Sequence, residues 1–318
     1  MDTTSINCYL VIGGCGFVGA ALVTKLLSVS PHAKVYVLDN FSTSYDSPIA
    51  KVFLEHPEDT TYIANDRLVY FKGNSWEVST WCSQINPDVV FHFGEFSRIN
   101  QSWKETEKCM QSNLYGTTCV LEYCVKKRSM LVYSASSAIL SASGATEDAA
   151  SATPYTWSKA KMVELVKLYQ KWYGLQYLIT YFYNVYGPGQ ITTGPYATVI
   201  GRFVHQASNG KSLTVVEPGT QMRCFTHIDD IISGIVFGLQ HLANGTEFPI
   251  SSPDEISIIQ LAQTIKQLCL HTVNIQLTAS ERGNRQTSAK TLPDRLRALG
   301  WDTHHELMKY LRDEVKGG

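Results

Sequence analysis

Tyr155 and Lys159 are the residues of this chain best suited to move a proton. On a helix, a spacing of four puts both side chains on one face, a turn apart. A phenol with a pKa of about 10 is a poor base near neutrality, and an adjacent ammonium brings it down. Ser136, nineteen residues earlier, adds a hydroxyl that relays or orients the proton. Such a trio makes or unmakes a carbonyl if something else takes the hydride. A tyrosine and lysine at this spacing also occur by chance on helices, so the hydride partner carries weight.

That partner has a site in Gly13-Gly14-Cys15-Gly16-Phe17-Val18-Gly19. Gly13, Gly16 and Gly19 give a tight turn, a backbone that can approach phosphate oxygens, and close packing of helix on strand. The helix N-terminus then faces the pyrophosphate of a dinucleotide. Asp39 lies twenty residues after Gly19, where a carboxylate accepts from both ribose hydroxyls and repels a 2′-phosphate. Neither Asn40 nor Phe41 is basic, so NAD is favoured over NADP. Asn74 accepts from the adenine amino group or is an ordinary turn residue. The chemistry expected is removal of a proton from a sugar hydroxyl by Tyr155 as hydride leaves for NAD, with Lys159 supporting the phenolate.

Elements must hold these groups together. The apolar run Asn7 to Ile12 reads as a strand buried on both faces, Phe17 to Leu27 as a helix, and Lys34 to Leu38 as a second strand. Further strands are expected at Leu68 to Phe71, Asp88 to Phe93, Met130 to Ser134 and Tyr177 to Phe182. Helices are expected at Glu107 to Lys127 and Tyr155 to Tyr173, and Thr43 to Asp66 as a long loop or short helix. Strands alternating with helices imply an α/β fold with a doubly wound parallel Rossmann sheet. Past Tyr183 the alternation fades into helices at Ala197 to Asn209, Asp229 to Leu242 and Ile258 to Leu268, a strand at Leu213 to Val216, and a closing helix from His305. The division expected is a cofactor domain over 1–183, joined by 226–244, and a smaller α/β substrate domain over 184–318.

The 318 residues suffice for a large core, and 44% hydrophobic against 17% charged residues describe an ordinary globular protein. A formal charge of -1 gives no electrostatic reason to expect nucleic acid or an anionic membrane. The run Cys8 to Ile12 is too short for a membrane span. Eight scattered cysteines without a CxxC pair suit reduced thiols, hence a cytoplasmic setting. His304 and His305 are adjacent rather than a turn apart, so they read as a solvated helix start, and no metal is expected.

The ordered motifs resemble the extended short-chain dehydrogenase/reductase family, which includes nucleotide-sugar epimerases and dehydratases. They are the glycine turn, His92-Phe93-Gly94, Asn113-Leu114-Tyr115-Gly116-Thr117, the Tyr155–Lys159 pair, Asn184-Val185-Tyr186-Gly187-Pro188, Arg223-Cys224-Phe225-Thr226-His227-Ile228-Asp229-Asp230 and Leu299-Gly300-Trp301. The resemblance implies NAD held by Gly13, Gly16, Phe17, Val18, Gly19, Asp39, Asn40, Asn74, Phe93, Gly94, Asn113, Tyr155 and Lys159. It implies a nucleotide sugar, UDP-linked, contacted by Ser137, Asn184, Arg223 and Arg282. Relatives pair into homodimers through the helices near 107–127 and 155–173.

Departures narrow the expected activity. Sugar 4,6-dehydratases of that family carry Asp-Glu after the catalytic Ser/Thr, and UDP-glucuronate decarboxylases keep the glutamate; here those positions are Ser137-Ala138. The cysteine used for inversion at C3 and C5 is missing there too. What remains is a 4-epimerase acting on a UDP-hexose or UDP-N-acetylhexosamine. A net oxidoreductase, or another epimerase/dehydratase on a different nucleotide sugar, is the alternative. Tyr181 stands where the family has an arginine, and Glu281-Arg282-Gly283-Asn284 departs from its phosphate motif. Ser288, near the position of a pocket-closing tyrosine, leaves room for an N-acetyl group. Glu95 is atypical: either a helix cap or a site carboxylate.

Overall fold

The computed structural model describes residues 5–140, 153–269, 272–279 and 292–316. Seven strands, β1 (Cys8–Ile12), β2 (Lys34–Asp39), β3 (Thr61–Asn65), β4 (Leu68–Lys72), β5 (Val89–His92), β6 (Met130–Ser136) and β7 (Tyr177–Phe182), join Thr246–Ile250 in one sheet. Its order is Thr246–Ile250, β7, β6, β5, β1, β2, β4, β3. Every pair is parallel except β3 with β4. β1 lies between β2 and β5, so the winding reverses there and opens a crevice at the carboxyl ends of the strands.

Alternate side chains of each strand feed opposite cores. Tyr9, Val11, Val37 and Phe91 pack under the helices Phe17–Val29 and Ile228–His241, through Leu22, Leu26, Ile231 and Ile235. Leu10, Ile12, Leu131 and Tyr133 pack on the other face with Val120, Leu121, Val163 and Val166, from the helices Thr117–Lys127 and Pro154–Tyr173. A third core, around Phe203, Leu213, Val215, Leu261, Ile265 and Leu311, belongs to the chain beyond β7. The chain re-enters the first unit through Ile228–His241 and continues past 244 into the sheet strand Thr246–Ile250. Leu296 and Trp301 also join that core.

Three departures from the sequence pattern have physical causes. Within Thr43 to Asp66 lie a helix, Pro48–Glu55, capped by Ser47, and β3, an edge strand whose residues are mostly exposed and so show no apolar alternation. Thr246–Ile250 is interrupted by Glu247 and Pro249; as the other edge of the sheet it tolerates a proline without N–H. The expected helix Glu107 to Lys127 is Thr106–Met110, a π-helical turn over Gln111–Gly116, and Thr117–Lys127. Gly116 sits where a Cβ would lie 2.2 Å from the Ser75 hydroxyl, so the turn is wedged against a neighbour. The last helix begins at Leu307, not at His305.

Candidate active site

The glycine turn follows β1 directly. Gly13 adopts φ +81°, and its N–H donates to Leu38 O at 2.8 Å. A Cβ at Gly19 would stand 2.1 Å from Gly13 O, which is why helix and strand need a glycine there. The helix Phe17–Val29 opens with no side-chain cap and no acidic residue in its first turn, so its N–H groups are left for an anion. Gly13, Gly16, Phe17, Val18 and Gly19 line one end of a cavity of about 900 Å³. This cradle fits the pyrophosphate of NAD.

Asp39 ends β2 as expected, 7% exposed. Its Oδ2 accepts from Cys15 N at 2.9 Å and its Oδ1 from Phe41 N at 2.7 Å. The carboxylate therefore braces the glycine turn from behind, and Asp39, like Asn40 and Asn74, is not among the residues that line the cavity. Burial pushes its pKa up, and the hydrogen bonds it accepts offset only part of that rise. Asn40 donates to Asn74 Oδ1 at 2.9 Å, while Asn74 caps the turn Ser75–Glu77 together with Glu77.

The other end of the cavity holds the residues expected to move the proton. Thr153 caps the helix Pro154–Tyr173 and fixes where Tyr155 enters the crevice. Tyr155 is 7% exposed, and it lines the cavity with Lys159 and Ser136, the last residue of β6. Ser136 Oγ accepts from Ala138 N at 3.2 Å, which leaves its hydrogen to donate. Ser137, Phe93 and Asn184 line the same cavity, whereas Gly94 does not: a Cβ on it would meet Ile12 Cγ2 at 2.9 Å.

Lys159 is held closely. Its Nζ donates to Ser134 O at 2.6 Å, lies 4.9 Å from the Tyr133 ring centroid, and forms an ion pair with Glu95. Glu95 is no helix cap. Its side chain is 2% exposed, and its Oε1 accepts from Tyr133 OH and from Thr117 Oγ1, both at 3.0 Å. Thr117 in turn accepts from His92 Nε2 at 2.9 Å. That histidine is fully buried with an unpartnered Nδ1, and burial pulls its pKa down to about 4. It is therefore neutral at pH 7.

The remaining expected residues fall elsewhere. Asn113 is fully buried and does not line the cavity; its Oδ1 accepts from Phe96 N at 2.7 Å and its Nδ2 donates to Ser158 Oγ at 3.1 Å, tying the loop after β5 to the helix Pro154–Tyr173. Arg223, in the strand Met222–Cys224, donates to Met222 O at 2.7 Å and is not among the lining residues. Arg282, with the rest of Glu281 to Asn284 and Ser288, lies outside the described residues. Tyr181 OH donates to Glu247 Oε2 at 2.7 Å, away from the cavity.

Sequence reasoning missed three cavity cations, Arg98, Lys104 and Arg202. Arg98 donates from Nε and Nη2 to Tyr196 O and from Nη1 to Ser97 O, and Arg202 sits on the helix Val199–Ser208. The available signal was a lone arginine between apolar Phe96 and Ile99. The sequence also gave no hint of the cluster of His227, Asp229 and His305, whose ligand atoms lie within 4.8 Å of one another. The two rings stack at 4.2 Å and 13°, so their in-plane lone pairs do not converge on one ion. His305 bonds instead to Asp230 at 2.9 Å and fastens the C-terminal segment. Among the described residues no helix is long and apolar enough to cross a membrane.

The model of the NAD dependent epimerase/dehydratase family matches residues 9–251. A UDP-N-acetyl-alpha-D-glucosaminuronate decarboxylase from Bacillus cytotoxicus is 29% identical over 269 residues, 81% of this chain and 79% of that protein. A dTDP-D-glucose 4,6-dehydratase from Dictyostelium discoideum is 26% identical over 285 residues, 83% of this chain and 62% of the other. The crystal structure of the Thermus thermophilus UDP-glucose 4-epimerase in complex with NAD superposes with a TM-score of 0.81 at 20% identity, covering 97% and 98% of the two chains.

Proposed function

From the premise that this chain belongs to the NAD-dependent epimerase/dehydratase family, we propose that it is a nucleotide-sugar 4-epimerase. It inverts C4 of a UDP-hexose or UDP-N-acetylhexosamine through a transient 4-keto sugar. The observation that carries this reading is the poverty of acids in the cavity. Among its described lining residues the one carboxylate is Glu95, committed to Lys159, and Ser136 is followed by Ser137 and Ala138. Losing water from C6 needs an acid and a base beyond the tyrosine. Oxidation and reduction at C4 need neither.

NAD, bound in the glycine cradle, would supply the hydride acceptor and donor. Tyr155 takes the proton from the C4 hydroxyl and later returns it. Ser136, its oxygen held by Ala138 N, directs its own hydrogen toward the same oxygen. Lys159 has spent two of its three N–H donors on Ser134 O and Glu95, leaving one to reach a cofactor ribose or the phenolate. Asn184, at φ 31° and with Nδ2 on Cys224 O at 2.8 Å, and Arg223 and Arg282 are assigned to the nucleotide side. Exposed Tyr115, Trp157 and Trp172 on the helical face support pairing of two copies there.

The test is incubation with UDP-glucose and UDP-N-acetylglucosamine separately, without added cofactor, read by proton NMR. Appearance of the C4 epimer is expected. Release of carbon dioxide from a UDP-hexuronate, a 6-deoxy-4-keto product, or turnover that stops without added NAD would replace this reading by another reaction of the family.

A further inference from the structure

The chain between Gly187 and Thr198 makes a thin wall of the cavity. Ile191, Pro195, Ala197 and Thr198 line the inside, while Thr192, Thr193 and Gly194 are exposed to solvent. Gly189 and Gly194 take φ +84° and +75°, and a Cβ on Gly194 would meet nothing within 4 Å. The wall runs from one end of the cavity to the other. A Cβ on Gly189 would lie 3.8 Å from Phe17 Cδ2, beside the glycine cradle. Tyr196, seven residues on, reaches the loop after β5.

The base of this segment is tied to the third core. Thr198 N donates to Ile191 O at 2.9 Å, Thr198 Oγ1 to Gln190 Oε1 at 2.6 Å, and Gln190 Nε2 to Tyr310 OH at 2.9 Å. Tyr310 packs on that core. The far end crosses to the other side of the cavity at Tyr196. Its carbonyl accepts from Arg98 Nε at 2.9 Å and from Nη2 of the same guanidinium. Its ring stands edge-on to Phe96 with centroids 6.0 Å apart, and Lys108 Nζ lies 5.9 Å from its centroid. Its hydroxyl lies 3.4 Å from both carboxylate oxygens of Glu105. Tyr196 and Ile99 pack against the buried cluster of Phe96, Cys109, Ala138 and Tyr155. A charged fork on a carbonyl is among the stronger hydrogen bonds, and it closes a segment whose glycines permit large backbone changes.

We infer that the segment 189–196 is a strap closed over cofactor and sugar, and that Arg98 and Tyr196 are positioning residues that latch it. This rests on the proposed 4-epimerase reaction. There hydride leaves C4 for NAD as a proton goes to Tyr155, giving NADH and a 4-keto sugar. Both must stay in the cavity until the hydride returns to the other face. The latched strap keeps them in, and its opening lets the product leave.

The proteins to compare are the parent, Arg98→Met, Arg98→Lys, Tyr196→Phe, Tyr196→Ala and the double variant Arg98→Met/Tyr196→Ala. Release of preloaded NADH into excess NAD is followed by fluorescence, and NADH left on the protein is measured during UDP-sugar turnover. Arg98→Met and Tyr196→Ala should release NADH about ten- to a hundredfold faster. Both should also gather NADH and lose activity during turnover, as the keto sugar escapes before hydride returns. Arg98→Lys, which keeps one N–H for the carbonyl, should fall between the parent and Arg98→Met. Tyr196→Phe should stay within about threefold of the parent. The double variant should release no faster than the faster single, because the two changes open one latch. An unchanged release rate in either Arg98→Met or Tyr196→Ala, or single effects that multiply in the double variant, would overturn the inference. Melting curves accompany each protein; should Tyr196→Ala fail to fold, the two Arg98 variants still decide. If the parent converts no UDP-sugar, the proposed function falls, while NADH release still tests the strap.

Discussion

Gly16→Ala and Gly19→Ala make the same chemical change three residues apart, and their surroundings give them different consequences. A Cβ at Gly19 would lie 2.1 Å from Gly13 O and 2.7 Å from Gly14 Cα, both backbone atoms that no rotamer change can clear. The helix must retreat from β1 by about 1 Å to restore normal contact. Overpacking of that kind costs about 3 kcal/mol, which lowers the melting temperature by about 4–5 °C in a chain of this size. At Gly16 φ is -71° and the nearest atom to a Cβ is 3.5 Å away, so the fold accepts alanine with a melting temperature within about 1 °C of the parent. Gly16 lines the cavity, however, and a methyl there stands between the cradle and the pyrophosphate. Losing one hydrogen bond to a charged group costs about 1.5–3 kcal/mol, roughly a ten- to hundredfold weaker Kd for NAD. Calorimetric titration with NAD and scanning calorimetry separate the two effects. Normal NAD affinity in Gly16→Ala, or an unchanged melting temperature and Kd in Gly19→Ala, would refute this account of the turn.

Other expectations concern single side chains. Tyr155→Phe should cut turnover by about a thousandfold or more while UDP-sugar binding, measured by calorimetry, persists. His92 is held neutral when folded and takes a proton near pH 6.5 when unfolded. Its folded pKa is the lower one, so stability falls as pH drops from about 6.5 to about 4, by about 3 kcal/mol in all; urea midpoints should follow, and His92→Asn should flatten that slope. Asp230→Ala removes the acceptor of His304 N at 3.0 Å, His305 N at 3.1 Å and His305 Nδ1 at 2.9 Å. It should cost about 1–3 kcal/mol and speed hydrogen exchange in the helix Leu307–Lys316 before the rest. Trp172→Asp should shift sedimentation toward the monomer if the exposed aromatic face joins two copies.

What was readable in the sequence was local. β1 and Phe17–Val29 announced themselves because burial on both strand faces makes a continuous apolar run and burial of one helix stripe makes a 3.6 period. The glycine turn was legible for a similar reason: Gly16 and Gly19 answer to Gly13 and Gly14 close by in the chain, although Gly13 itself is also confined by Phe93 and Gly94 of the neighbouring strand end. β3 and Thr246–Ile250 were illegible because edge strands need not be apolar, and the π-helical turn because it depends on Ser75, forty residues away.

The site divides along the same line. Tyr155 and Lys159 could be paired because one helix sets their spacing, and Ser136 could be added because strand ends face one crevice. Nothing local says that Glu95 will meet Lys159, sixty-four residues later, or that Arg98 will rest on Tyr196 O, ninety-eight residues later. Those contacts exist because β5 and β6 are neighbours in the sheet while the helix after β6 lies over both.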